Sequence, residues 1–190
     1  IVTPGSNGAI PAVFGCDATP GTPNSSNDGQ NVAMNGMSWA DLAAYLDWAA
    51  LRPMTEMEFE KAARGPLPMI AGEYPWGSTE VTLTNSSNIT NAKLANEISS
   101  TTVNNGMSAL HSYNAAATAG PLRTGIFATS ASGRLSAGAG FYGAMELAGN
   151  VWERLVGSAT AEGVSFTGNL GDGTLSSTGF ADQTSWPNNT

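Results

Sequence analysis

The stretch MSWADLAAYLDWAALRPMTEMEFEKAARG, Met37 to Gly65, decides the fold, because it encodes two capped helices back to back. Ser38 stands at an N-cap with Asp41 three residues on, and Trp39, Leu42, Ala43, Leu46, Ala49 and Ala50 recur behind it at helical spacing. Tyr45 and Trp48 widen the apolar arc, so more than one side of this helix is expected to be covered, with Asp41 and Asp47 marking the wet side. Arg52-Pro53 should end it near Leu51, since proline disfavours helical geometry in the residue before it. Thr55 and Glu58 then form a second capping box, and Glu56 and Glu58 suit the positive end of a helix dipole. Phe59, Ala62 and Ala63 supply the inner face, Glu60 and Arg64 a possible i,i+4 pair, and Gly65-Pro66 the stop.

Beyond Gly65 the helical period fades into Gly, Asn, Ser and Thr, which predicts short strands and long ordered loops. The candidate strands are Val81 to Thr84, Leu122 to Ala128, Phe141 to Glu146, Val151 to Val156 and Val164 to Thr167. The polar tract Thr79 to Thr102 and the stretch Ser130 to Gly140 read as loops, and the opening through about Gln30 as an extended surface segment. The expected division is residues 1–30 as that segment and 31–190 as one domain.

A formal charge of -8, with seven Lys and Arg scattered along the chain, argues against a nucleic-acid partner, which needs clustered cations to neutralise phosphates. No apolar run approaches the length needed to cross a bilayer, so no membrane span is expected. Charged residues make up 12%, about half the usual share, a bias common in secreted and surface proteins. A single cysteine, Cys16, forms no internal disulfide, so packing, hydrogen bonds or a metal must hold the fold. His111, the one histidine, has no partner set for a zinc site or a Ser-His-Asp arrangement and reads as a loop residue.

Taken in order, SW, AAYLDWA, LRPMTEMEFEKAARG, YPWG (Tyr74 to Gly77), PLRTGIF (Pro121 to Phe127) and YGAMELAGNVWER (Tyr142 to Arg154) resemble the formylglycine-generating-enzyme and sulfatase-modifying-factor domain family. The resemblance spans Asn31 to Arg154, and a series of spaced motifs is far more specific than any one of them. The sequence carries Arg52-Pro53-Met54-Thr55 where the family commonly has Arg-Leu-Pro-Thr, a variant similar to bacterial surface-associated members. The family implies an α+β, C-type-lectin-like fold, loop-rich, with two short helices on small twisted antiparallel sheets. It also implies either of two functions. Its catalytic members oxidise a sulfatase cysteine through a copper-binding cysteine pair near the end of the domain, a pair that would fall beyond Thr190; Cys16 precedes the first motif and matches neither position.

The resemblance carries a calcium-binding loop onto Glu146, Gly149, Val151 and Glu153, where carbonyls and carboxylates would supply the hard oxygen ligands that calcium prefers. The alternative for Glu153 is a hydrogen-bonded pair with an arginine such as Arg52 or Arg64. Asn91, with Asn85 and Glu97 nearby, is a candidate for a second calcium site, set against a plain turn cap. Asp172, between glycines, reads as a turn residue. Trp39, Trp48, Trp76 and Trp152 lie inside the motifs and are expected to pack in the core, with Trp186 the exposed aromatic. Two functional classes follow. One is a non-catalytic module of a larger secreted or cell-surface bacterial protein, for adhesion, ligand binding or assembly, with other protein subunits or surface glycans as partners. The other is a formylglycine-generating-type oxidoreductase whose active cysteines lie outside these residues.

Overall fold

The structure, a computed structural model, describes residues 15–16, 21–23, 25–84, 86–100, 107–109 and 121–187. Helices α1, Trp39–Trp48, and α2, Glu56–Arg64, are each opened by a complete capping box, Ser38 with Asp41 and Thr55 with Glu58; α1 ends three residues short of the expected Leu51, because Ala49 caps it and Ala50 turns left-handed at φ 54° ahead of the proline. The expected Glu60–Arg64 pair closes at 3.0 Å on the outside of α2. Gly65 leaves α2 at φ 65°, a conformation glycine adopts without a side-chain penalty. Strands β1, Thr82–Thr84, β2, Ile89–Thr90, β3, Ile98–Ser99, and β4, Met107–Ala109, are followed by short helices α3, Arg134–Ala137, and α4, Ala161–Ser165.

β2 and β3 pair antiparallel, whereas β1 and β4 pair parallel, so the expectation of uniformly antiparallel sheets holds for one pair of the two. The Val81 to Thr84 strand is present, but three of the other four expected strands are turns and loops. Leu122 to Ala128 contributes a single bridge, Arg123 to Val32, Val151 to Val156 a single bridge, Val156 to Thr55, and Phe141 to Glu146 none among the described residues. Val164 lies in α4 and not in a strand, because Thr160 caps that turn through the Gly163 amide. β2 and β3 lie within the tract read as loop, and α3 within the Ser130 to Gly140 stretch. Short Asn- and Ser-rich segments satisfy their backbone through turns and side chains, so apolar alternation gives little guide to them.

Two small cores organise the chain. Leu122, Ile126 and Phe127 form one, with Ile89 of β2 packed against it, and Ala43, Ala181 and Trp186 form the other with Leu46 and Phe166. Trp186 is thus buried, at 3% exposure, and donates its indole N–H to the Asn169 carbonyl, while Trp152 is 90% exposed; the expectation for these two tryptophans is reversed. Trp76 is buried as expected, stacked on Tyr74 with ring centroids 4.7 Å apart. Tyr45 and Trp48 are both exposed, so α1 buries one side only. In the described part of the opening, Ser25 to Gln30 is turn, and Asp28 is buried in place of lying on the surface. His111 and Asn85 lie outside the described residues.

Asp47 is the largest departure from the reading of α1. It is fully buried, not solvated, and its two oxygens accept the amides of Asp172 at 3.1 Å and Asp182 at 2.9 Å. The Gly173 amide donates to the Asp47 carbonyl at 3.0 Å, and the Gly171 amide to the Leu51 carbonyl at 2.6 Å. The end of α1 is thereby closed by the 171–182 segment. The close approach requires glycine at 171, where a Cβ would stand 2.6 Å from the Asp47 carbonyl oxygen and 2.8 Å from its Oδ1. Gly171→Ala is expected to destabilise the fold by about 2 kcal/mol through overpacking, and Asp47→Ala by about 3 kcal/mol by orphaning two amides. Because both changes break one contact, urea unfolding of the double variant should show less than the sum of the two.

The second capping box also carries an ion pair, in which the Arg52 guanidinium makes a two-pronged contact with Glu58. Arg52 foremost, then the Thr55 amide, holds the Glu58 carboxyl down to about 2. A depressed carboxyl stabilises the fold above its ordinary value of 4.5 and loses that contribution as pH falls towards about 2. Both side chains are partly solvated, so screening limits the effect. Glu58→Gln should cost about 1 kcal/mol at neutral pH, with the difference from wild type closing in acid; urea melts across pH would show this, and a gap independent of pH would exclude the ion pair as its source.

Candidate metal site and the strip beneath it

The loop 146–153 is held in an unusual backbone shape, with Glu146 at φ 64°, Gly149 at 85° and Asn150 at 58°. Left-handed non-glycine residues are uncommon and persist where surrounding contacts determine them. Here the contacts come from the strip Leu122 to Gly125. The Gly125 amide donates to Glu146 Oε1 at 3.0 Å. Asn150, 2% exposed, accepts the Leu122 amide at 2.8 Å and donates to the Leu122 carbonyl at 3.3 Å, so one side chain replaces a strand partner.

Glu146 and Glu153 bracket the loop, and the negative charge of Glu146 acts on the Glu153 carboxyl. Burial lifts the Glu146 carboxyl above the ordinary carboxylate range, against the pull of the Gly125 amide, the Asn150 side chain and the Arg123 charge. Glu153 is raised as well, first by loss of water around its carboxyl, although the residue as a whole is exposed, and then by the negative charge of Glu146. The arginines that could have neutralised Glu153 are engaged elsewhere, Arg52 with Glu58 and Arg64 with Glu60. Among the described residues, the carbonyls of Gly149 and Val151 accept no backbone hydrogen bond. Two carboxylates and these two carbonyls lie in one bent loop, and oxygen is the donor type that a hard divalent cation such as calcium takes.

Glu146, Gly149, Val151 and Glu153 share one bent loop, fastened to the strip through Glu146 and Asn150, and Asn91 lies in a different loop. Asn91 is an exposed turn residue at φ 57°, its carbonyl accepting the Leu94 amide at 3.1 Å and its side chain donating to the Asn96 carbonyl at 3.4 Å. Asp172 is the turn residue expected, with Thr174 donating both its amide and its hydroxyl to it. Carboxylate oxygens of Asp47, Asp172 and Asp182 gather within 4.8 Å of one another, with both Asp47 oxygens accepting the amides of Asp172 and Asp182 and Asp172 Oδ1 accepting from Thr174. Asn150 and Glu97 are the residues that the sequence reading did not place in the site's frame; the signal for Asn150 was a buried-capable amide set between an apolar run and a glycine turn.

Residues 12–171 match the family described as sulfatase-modifying factor enzyme 1-like domain. The chain belongs to this family. Over 70 residues, 37% of the chain, this domain is 40% identical to a formylglycine-generating enzyme of Thermomonospora curvata. The match covers 22% of that protein, so the chain spans about a fifth of the length of the curated relative. No solved structure matches the domain significantly. No helix among the described residues is long and apolar enough to cross a membrane.

The two raised carboxyls give a test of the site's electrostatics. A raised carboxylate is a penalty borne by the ionised native state, present above the raised pKa and relieved as pH falls through it. In chelator, Glu153→Gln should therefore melt at a higher temperature than wild type at pH 7, and the advantage should vanish on acidification. A variant that is less stable in chelator at neutral pH would mean that Glu153 is already neutralised by the protein.

Proposed function

We propose that this domain is a calcium-stabilised, non-catalytic module of a larger secreted or cell-surface bacterial protein, built on a C-type-lectin-like scaffold and serving adhesion, ligand binding or assembly with other subunits or surface glycans. The observation that carries the reading is the 146–153 loop, bent at Glu146, Gly149 and Asn150 and carrying two carboxyls that burial raises above their ordinary range, with the charge of Glu146 acting on Glu153. A divalent cation would offset that negative charge. Low charge density and abundant polar loops support the secreted or surface setting.

A cation bound only by the native state stabilises it by mass action, about 2.7 kcal/mol at a hundred times the dissociation constant. Calcium should raise the melting temperature of wild type and leave Glu153→Ala unchanged, and elemental mass spectrometry should find calcium without stoichiometric copper. Equal calcium responses in the two proteins would remove the site.

One observation favours a second reading, the 70-residue stretch that is 40% identical to an enzyme named for formylglycine generation. The oxidase chemistry that the family resemblance implies needs a pair of thiolates, and these residues contain one cysteine, Cys16. Incubating the full-length protein with copper, dioxygen and a cysteine-containing sulfatase peptide separates the two. Conversion of the peptide cysteine to an aldehyde would establish the oxidase, and an unchanged peptide is the outcome expected here.

A further inference from the structure

The strip Leu122 to Gly125 touches more than the candidate metal loop. Its Arg123 amide donates to Glu97 Oε1 at 2.6 Å, and the Arg123 Nε donates to the Glu97 carbonyl at 2.8 Å. Glu97 is fully buried, and its other oxygen accepts the Lys93 amide at 2.5 Å, fixing the turn that joins β2 to β3. That turn holds Asn91 and Lys93 at positive φ, as the metal loop holds Glu146 and Asn150. Ile89 of β2 packs on the Leu122, Ile126 and Phe127 core, so the hairpin also follows the strip through apolar contact. Four of the five left-handed non-glycine residues described lie in these two loops. Neighbouring amides of a single strip therefore restrain both.

We propose that the strip couples the two loops, so that a divalent cation at Glu146 and Glu153 tightens the β2–β3 hairpin and the order of the hairpin sets the affinity of the cation. The inference rests on the calcium reading above and adds to it a second, distant region that responds. The path consists of hydrogen bonds between neighbouring groups. A cation that fixes Glu146 also fixes the acceptor of the Gly125 amide; two residues away, the Arg123 amide and guanidinium hold Glu97, and Glu97 holds the hairpin turn. Glu97 and Asn150 act as positioning residues, since neither has to touch the ion. Linkage makes the effect reciprocal, because whatever the cation does for the hairpin the hairpin must do for the cation.

The experiment is hydrogen exchange of the wild-type protein read by mass spectrometry, with calcium chloride or chelator, alongside calorimetric titration of calcium. Peptides spanning residues 89–99 should gain about five-fold protection or more when calcium is bound, the lower range of typical site-to-site coupling. Calcium binding without any change in those peptides would overturn the coupling and leave the metal site standing. No calcium binding at all would overturn both. In the reciprocal arm, Glu97→Gln should weaken calcium affinity by a similar factor while the melting temperature in chelator reports its structural cost separately. Should that variant not fold, Ser99→Ala serves in its place, removing the hydroxyl contact to Thr84 at 2.9 Å that ties β3 to β1. Calcium affinity equal to wild type in the variant used would count against the proposal.

Discussion

Four consecutive amides, those of Leu122, Arg123, Thr124 and Gly125, donate to four different places: the Asn150 side chain, Glu97, the Asn31 carbonyl and Glu146. In a sheet, such a run of donors would be spent on one neighbouring strand. Here it is shared among the Asn31 backbone, the hairpin turn and the 146–153 loop. Buried amides must be satisfied, and the three acceptor side chains in this arrangement bring with them loops that have little apolar surface of their own. The geometry of the candidate site is a by-product of that accounting, since Glu146 is placed by the Gly125 amide before any ion is considered.

A second constraint of the same kind works at the other end of the molecule. Asp47 sits near the carbonyl end of α1, where the helix dipole disfavours a carboxylate. It is tolerated because the amides of Asp172 and Asp182 converge on it, and because glycine at 171 lets the backbone come that close. Trp39 adds a third fixture, its indole donating to the Pro187 carbonyl at 2.6 Å. Both ends of α1 are thus tied to the 169–187 region, which compensates for a small apolar core by hydrogen bonds made across more than a hundred residues.

What was legible in the sequence was local chemistry with a rigid signature. The two capping boxes, the Glu60–Arg64 pair and the Asp172 turn each follow from side chains within a few positions, and each is found where expected. Membership of the family was likewise legible, through motif order. What was not legible depends on partners far along the chain. Asp47 looks solvated until residues 172 and 182 are known to meet it. Leu122 to Ala128 looks like a strand because it is apolar and extended in pattern, but its amides divide among side chains, local turns and the Asn31 carbonyl and do not follow one neighbouring strand. Trp152 and Trp186 exchanged their expected places because motif membership says nothing of burial, whereas the Asn169 carbonyl and the Ala43 surface do. Glu146 and Glu153 were singled out through the family loop; the part of Asn150 and Glu97 in holding the strip depends on contacts more than twenty residues along the chain, which no local pattern gives.

The division of the tryptophans has an optical consequence. Trp76 and Trp186 are enclosed, at 1% and 3% exposure, while Trp48 and Trp152 stand in solvent at 63% and 90%. The native protein therefore carries two classes of emitter, one shielded from a collisional quencher such as iodide and one open to it. Trp152 lies beside Glu153, so its emission samples the field of the 146–153 loop, and Trp186 samples the seat of the closing segment on α1. Two regions can be followed in one cuvette without a label.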